Sequence, residues 1–293
     1  MSAEEKRRIS YTIASREEGK RLMLANNEYF DKLIQNDLEF RMHKTGVTLE
    51  QYRAFAAEQV MDFTSEEKYV LNAVMSKLEE LFRENAPSLP HLNVTFIRTT
   101  MAEEGGALAY THKSEIYLGG SLFSKYPPMK IMKTVCHELW HCLSRYHPEL
   151  RKKLYALINF KIADHDYPIP DDIKEFFLTD PDVEHRDASS MFNIEGKLLE
   201  CFCTIRTSER YKDGDDGAFF EKLLPVLVAT DGSGWFPFDR ARNLDEVFGK
   251  NTGYTIDPEE CIADNFSYAV CFGMGPDYPS PEIVEGILKI LSS

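Results

Sequence analysis

The chain has 293 residues, a formal net charge of −14, and apolar and charged fractions of 43% and 28%. These are the proportions of a folded globular protein, and they exclude a disordered or collagen-like one. The acidity argues against a phosphate-binding surface, so nucleic acid is not expected as a partner. No apolar run approaches the length of a membrane span, and Met1 to Arg8 leads into polar sequence without the apolar core of a signal peptide. No membrane partner and a cytoplasmic location are therefore expected.

Residues 1–62 read as a helical N-terminal region. Glu17 to Arg41 is rich in Leu, Glu, Lys, Arg and Met and lacks proline, Gly46 interrupts, and Leu49 to Met61 resumes the pattern. Thr64-Ser65-Glu66-Glu67 has the spacing of a capping box and opens a helix predicted to end near Pro87. Its apolar stripe reads as Tyr69, Val70, Val74, Leu78, Leu81 and Phe82. Asn93 to Arg98 alternates as a strand does, Glu103 to Gly106 makes a turn, and further strands are predicted at Ala107 to Tyr110 and Ser114 to Gly120. Pro127-Pro128 introduces a helix from Met129 to about Tyr146, and another runs from Leu150 to Phe160. From about 165 to 250, prolines, glycines and aspartates punctuate short apolar runs, which reads as a mostly irregular insertion with some strand. Helices are predicted again over Pro258 to Phe272 and Pro281 to Leu291. The expected class is α+β, mostly helical with a small mixed sheet, divided into 1–62 and 63–293. The six cysteines form no CxxC pair, so they read as free thiols used as small apolar filler.

Chemistry concentrates at His137-Glu138-Leu139-Trp140-His141. Residues four apart on a helix differ by about 40° around the axis and about 6 Å along it, so both imidazoles can face one ion. Glu138 lies one step around, beside such an ion rather than on it, where it can take a proton from a zinc-bound water. A catalytic zinc held by two histidines needs one more protein ligand. Glu260-Cys261-Ile262-Ala263-Asp264 puts Glu260 and Asp264 on one helical face. Glu260 is then the third ligand, and Asp264 accepts the free ring N–H of a ligating histidine.

These two segments resemble the HExxH plus ExxxD signature of the gluzincins, the thermolysin-like clan of zinc metallopeptidases. The stretch from Tyr254 to Phe266 also resembles bacterial zincin-like proteins. The resemblance implies a zincin-like catalytic domain over 63–293 and one catalytic zinc on His137, His141 and Glu260. It also implies Glu138 as general base, Asp264 behind a ligand, and a peptide or protein substrate. One departure is the long gap from His141 to Glu260, which an insertion at about 165–250 must fill.

A rival third ligand is His147, six residues after His141 as in the metzincin motif HExxHxxGxxH. Ser144 stands where that motif has the glycine that lets the chain turn. On a continuing helix His147 would point about 80° away from His137, so Glu260 is preferred. An oxyanion formed during acyl transfer also needs a donor. Tyr254 is the first choice for its closeness to Glu260, followed by His185 in the loop Asp180 to His185, with Tyr211 and Tyr268 behind them. The strand Glu115 to Leu118 is a candidate edge for adding a peptide. Alternatives to a peptidase are a silent metal-binding module and a non-peptidase zinc hydrolase; retention of Glu138 speaks against the silent module. Nothing in the sequence sets an oligomeric state.

Overall fold

The computed structural model describes residues 8–214 and 219–293. The chain begins with a strand, β1 (Ile9–Ile13), followed by α1 (Arg16–Leu24), α2 (Asn27–Phe30), α3 (Gln35–Met42), α4 (Leu49–Glu58) and β2 (Val60–Met61). Next come α5 (Ser65–Asn85), β3 (Leu92–Thr99), β4 (Ala109–His112), β5 (Glu115–Gly119), α6 (Gly120–Lys125), α7 (Pro128–Tyr146) and α8 (Pro148–Ala156). The stretch that reads as irregular holds β6 (Lys161–Ile162), α9 (Asp171–Lys174), β7 (Phe177–Leu178), β8 (Ala188–Ile194), β9 (Lys197–Thr207), β10 (Leu223–Ala229), β11 (Trp235–Pro237) and α10 (Leu244–Phe248). Two helices close the chain, α11 (Pro258–Phe272) and α12 (Pro281–Leu291). The class is α+β, as expected.

The first sheet runs β1-β3-β5-β4, with β2 also on β3; β1 and β5 are parallel to β3, and β4 is antiparallel to β5. Two of its strands come from residues before 62, so the sheet crosses the expected division there, and Ile9–Ile13 corrects the reading of that region as purely helical. Arg41 ties the same region to the middle of the chain. Buried at 1% exposure, it donates to Asp37, to Glu104 and to the carbonyl of Thr179.

The second sheet, β11-β10-β9-β8-β6 with β7 on β9, is antiparallel throughout and replaces the irregular insertion. Its long central strand was hard to read because both faces are covered. Cys201 and Cys203 join the main core, while Phe202 packs with Ile173, Val226 and Val228 on the other side. A strand buried on both faces loses the alternation that marks a half-exposed one.

The main core lies between the two sheets and α5, α7, α8, α11 and α12. The capping box at Thr64 and Glu67 forms as expected, and Val74, Leu78, Leu81 and Phe82 of the expected stripe are buried; Leu71 and Met75 join them, while Tyr69 is 76% exposed. In α7 and α11 the apolar positions Val135, Leu139, Ile262 and Val270 are fully buried, and Trp140 packs on Phe266 at 5.4 Å between rings. Each such side chain contributes about 1.5–3 kcal/mol by leaving water. That packing holds the two helices in register with their polar faces toward one another.

Candidate metal centre

α7 starts at Pro128, where a missing N–H is harmless and φ is already helical. It ends at Tyr146 because Pro148 follows His147, and the residue before a proline is driven out of the helical region. His147 accordingly sits at φ −130°, ψ 70°. It neither continues the helix nor joins the cluster that His137 and His141 form with Glu260. Ser144 stays helical. α11 is opened by Asp257, whose carboxylate accepts from Glu259 N at 2.8 Å, and Glu259 and Glu260 occupy its first turn, where negative charge suits the helix dipole.

Facing each other, the helices bring His137, His141 and Glu260 together, with one ligand atom from each within 4.8 Å of the others. Nε2 of His137 is 3.0 Å from Glu260 Oε2, and Nε2 of His141 is 3.7 Å from Glu260 Oε1. His141 Nε2 and Glu260 Oε1 are buried without a hydrogen-bond partner. Such atoms are costly unless something else satisfies them. A cation between these two atoms and His137 Nε2 would do so, and the set fits a metal ion: two imidazoles and a carboxylate, all converging.

Each imidazole is oriented from behind. His137 Nδ1 donates to Asp264 Oδ1 at 3.1 Å, and the same carboxylate accepts from Lys133 at 2.9 Å and from Thr252 at 2.5 Å. Asp264 therefore occupies the place the sequence reading gave it. Burial works to raise its pKa, but the hydrogen bond from His137 and the charges of His137 and Lys133 hold it well below the usual carboxylate range. His141 Nδ1 donates to Glu259 Oε1 at 3.0 Å, and Glu259 also accepts from Ser144 Oγ and Tyr155. Glu259 was missed. No local pattern marks it, because its partner His141 lies 118 residues away. Ser144, which stands where the metzincin motif has its glycine, is part of that support.

Glu138 is 4% exposed, and its Oε2 has no partner. Burial, and then the charge of Asp182, pushes its pKa up to about 8. Burial opposes charge on His141, yet Asp182, Glu260 and the hydrogen bond to Glu259 outweigh it and raise its pKa to about 9. The centre thus holds protons tightly where a cation would replace them.

His137, Glu138, Glu260, Asp264 and Tyr254 line one open cleft of about 460 Å3. Tyr254 is 40% exposed, its ring stacked 6.0 Å from that of His137. His185 is elsewhere: half-exposed beside Asp166, it lines a separate cavity reached from Arg145 and Arg151. The residue its loop delivers to the cleft is Asp182, held by Thr111 N at 2.8 Å and Thr111 Oγ at 2.6 Å. Tyr211 is buried against Phe40, and Tyr268 accepts from Lys133, so neither reaches the cleft. The expected edge strand is corrected too, because β5 lies inside the sheet and β4 is its edge. Thr111 N turns outward to Asp182, so the main-chain groups of Ala109 face the same side, where Ala107, Leu108 and Ala109 line the cleft. All six cysteines are buried free thiols, and burial pushes Cys136, Cys142 and Cys261 up, as filler thiols require.

No helix among the described residues is long and apolar enough to cross a membrane. No family profile, no curated protein and no solved structure matches the chain.

Proposed function

We propose that the protein is a zinc-dependent metallopeptidase of zincin-like architecture, with His137, His141 and Glu260 as the metal ligands. The observation that carries this reading is the pair of unpartnered buried atoms, His141 Nε2 and Glu260 Oε1, facing His137 Nε2 between two helices. Zinc suits a set of two imidazoles and one carboxylate, which leaves a coordination position open. When bound, it supplies Lewis acidity toward a water and a substrate carbonyl.

The chain's own residues do the rest. Glu138, unpartnered beside the ligands, takes a proton from the attacking water and passes it to the leaving amine. Asp264 and Glu259 fix the ring orientations and keep each Nδ1 protonated, so that Nε2 carries the lone pair. Tyr254, on the cleft wall beside His137, is placed to donate to the developing oxyanion. The outward groups of Ala109 on β4 offer an extended peptide main-chain hydrogen bonds.

Metal analysis and a peptide library test this reading together. About one zinc per chain is expected, with cleavage by the native protein. Glu138→Gln should keep the zinc and lose hydrolysis by about 100-fold or more. Absence of zinc after reconstitution at neutral pH would sink the proposal.

A further inference from the structure

Beside the metal centre the cleft opens into a second cavity of about 250 Å3. Its walls are apolar: Leu178, Ile205, Phe219, Phe220, Leu223 and Ile256. Tyr254, Ala109 and Asp182 belong to both spaces, so a group held at the metal is within reach of the cavity. At its floor the charged pair Arg41 and Glu104 is already satisfied, since Arg41 also bonds Asp37 and Glu104 accepts from Tyr29 and Tyr52. The floor therefore asks for no charged ligand.

The mouth does. Asp180, Asp182 and Glu260 each bring a carboxylate oxygen within 4.8 Å of the others. Among the described residues, Asp182 is held by Thr111 through Oδ1, and Asp180 Oδ1 accepts the Asp182 N–H at 3.0 Å. Arg145, the closest bonded cation, donates to the main-chain carbonyl of Asp182 and not to its carboxylate. Glu260 Oε1 and Glu138 Oε2, both on side chains more than nine-tenths buried, are without hydrogen-bond partners, and each side chain brings a carboxylate oxygen within 4.8 Å of one on Asp182. A divalent ion on the two histidines and Glu260 offsets Glu260 and Glu138, which leaves Asp180 and Asp182 with one neighbouring cation, Arg145, acting on Asp182 from its main-chain side. Asp180 is partly exposed to the cleft, and carboxylates this close repel one another, so a cation placed between them is favoured.

Two kinds of cation have the right charge. A second hard metal ion would take six or more oxygens, several from water, whereas the space beside Asp180 is walled by aliphatic and aromatic side chains. An organic ammonium joined to an apolar group uses both features. We propose that the centre reads the amino end of its substrate: Asp180 and Asp182 receive the free α-ammonium, and the adjoining cavity receives a large apolar side chain on the same residue. The inference rests on the metallopeptidase reading and narrows it to removal of an N-terminal residue. Water adds to the first carbonyl carbon, the C–N bond breaks, and the shortened peptide leaves as the amine after receiving a proton.

Binding tests the inference apart from turnover. Zinc-loaded Glu138→Gln protein is titrated calorimetrically at about pH 7, where an α-amine is mostly protonated, with leucinamide, N-acetyl-leucinamide and glycinamide. Leucinamide is expected to bind about tenfold or more tighter than either of the others. Asp180→Asn and Asp182→Asn, which keep shape, should erase the preference over the acetylated compound. Leu223→Trp, which fills the cavity, should erase the preference over glycinamide. Equal binding of free and acetylated leucinamide overturns the inference, and cleavage of internal peptide bonds would then leave the metallopeptidase reading standing. A second metal ion per chain, lost in Asp180→Asn, also overturns it by making the carboxylates a cation site. If the ammonium preference is found but native protein cleaves no peptide, the ligand assignment holds and the peptidase reading fails.

Discussion

Glu259 stands to His141 as Asp264 stands to His137: one carboxylate oxygen at 3.0 Å from one Nδ1, the other at 3.1 Å. A single helix, α11, thus supplies the carboxylate between the imidazoles and the carboxylate behind each of them. Glu259→Ala and Asp264→Ala should each weaken zinc binding by about 10–100-fold, the usual loss when the partner behind a ligand is removed. Competition with a chromophoric chelator would measure this, and a loss confined to Asp264→Ala would disprove the equivalence.

On the proposed assignment Glu260→Ala removes a ligand rather than a support, so stoichiometric zinc should disappear from the protein after dialysis. His147→Ala should keep all of it, because His147 lies outside the cluster at the junction of α7 and α8. Zinc lost from His147→Ala and retained by Glu260→Ala would reverse the ligand assignment.

Protons and metal compete for the centre. His141, raised to about 9, and Asp257, raised to about 8 by burial, both bind protons more tightly in the folded metal-free chain than when unfolded. Where the folded state holds more protons, stability falls as pH rises. The contribution of His141 is full below its unfolded value of about 6.5 and is lost by about pH 9. Metal-free protein should therefore melt at lower temperature as pH goes from about 6.5 to 9, while the gain in melting temperature on adding zinc grows. A pH-independent zinc effect across that window would contradict the competition.

Arg41 is buried among Asp37, Glu104 and Thr179, and removing it leaves two buried carboxylates without their cation. Arg41→Met should cost about 3–5 kcal/mol of folding stability. Urea unfolding gives the value; a loss below about 1 kcal/mol would show the network to be dispensable.

Tyr254→Phe removes a hydroxyl from the cleft wall and leaves every ligand in place. A fall of about 100-fold in kcat/KM with zinc content unchanged is expected of an oxyanion donor. Unchanged kinetics would return Tyr254 to a packing role.

The helices that carry the centre were legible because their signals are local. Pro128 and Pro258 at helix starts, the spacing of His137 and His141, and that of Glu260 and Asp264 are all written within a few residues. What the sequence hid is held by distant partners. β1 looks like part of a helical region until β3 is there to pair with it. β9 loses its alternation because helices and strands cover both faces. Asp182 and Glu259 escaped because their roles depend on Thr111 and His141, 71 and 118 residues away. His185 reads as a candidate because of its proline- and aspartate-rich loop, but that loop turns Asp182, not His185, toward the cleft.

Between His137 and Glu260 the chain makes an excursion of 123 residues that contains the whole second sheet. An ion held by both ends, as proposed, would close that excursion as a cross-link closes a loop. On the chain-entropy account, closing a loop this long removes unfolded-state freedom equivalent to about 4–5 kcal/mol. Chelation would then release a constraint on nearly half the polypeptide at once. Amides of β8, β9 and β10 would exchange with solvent faster after chelation, although none of these strands contributes a ligand.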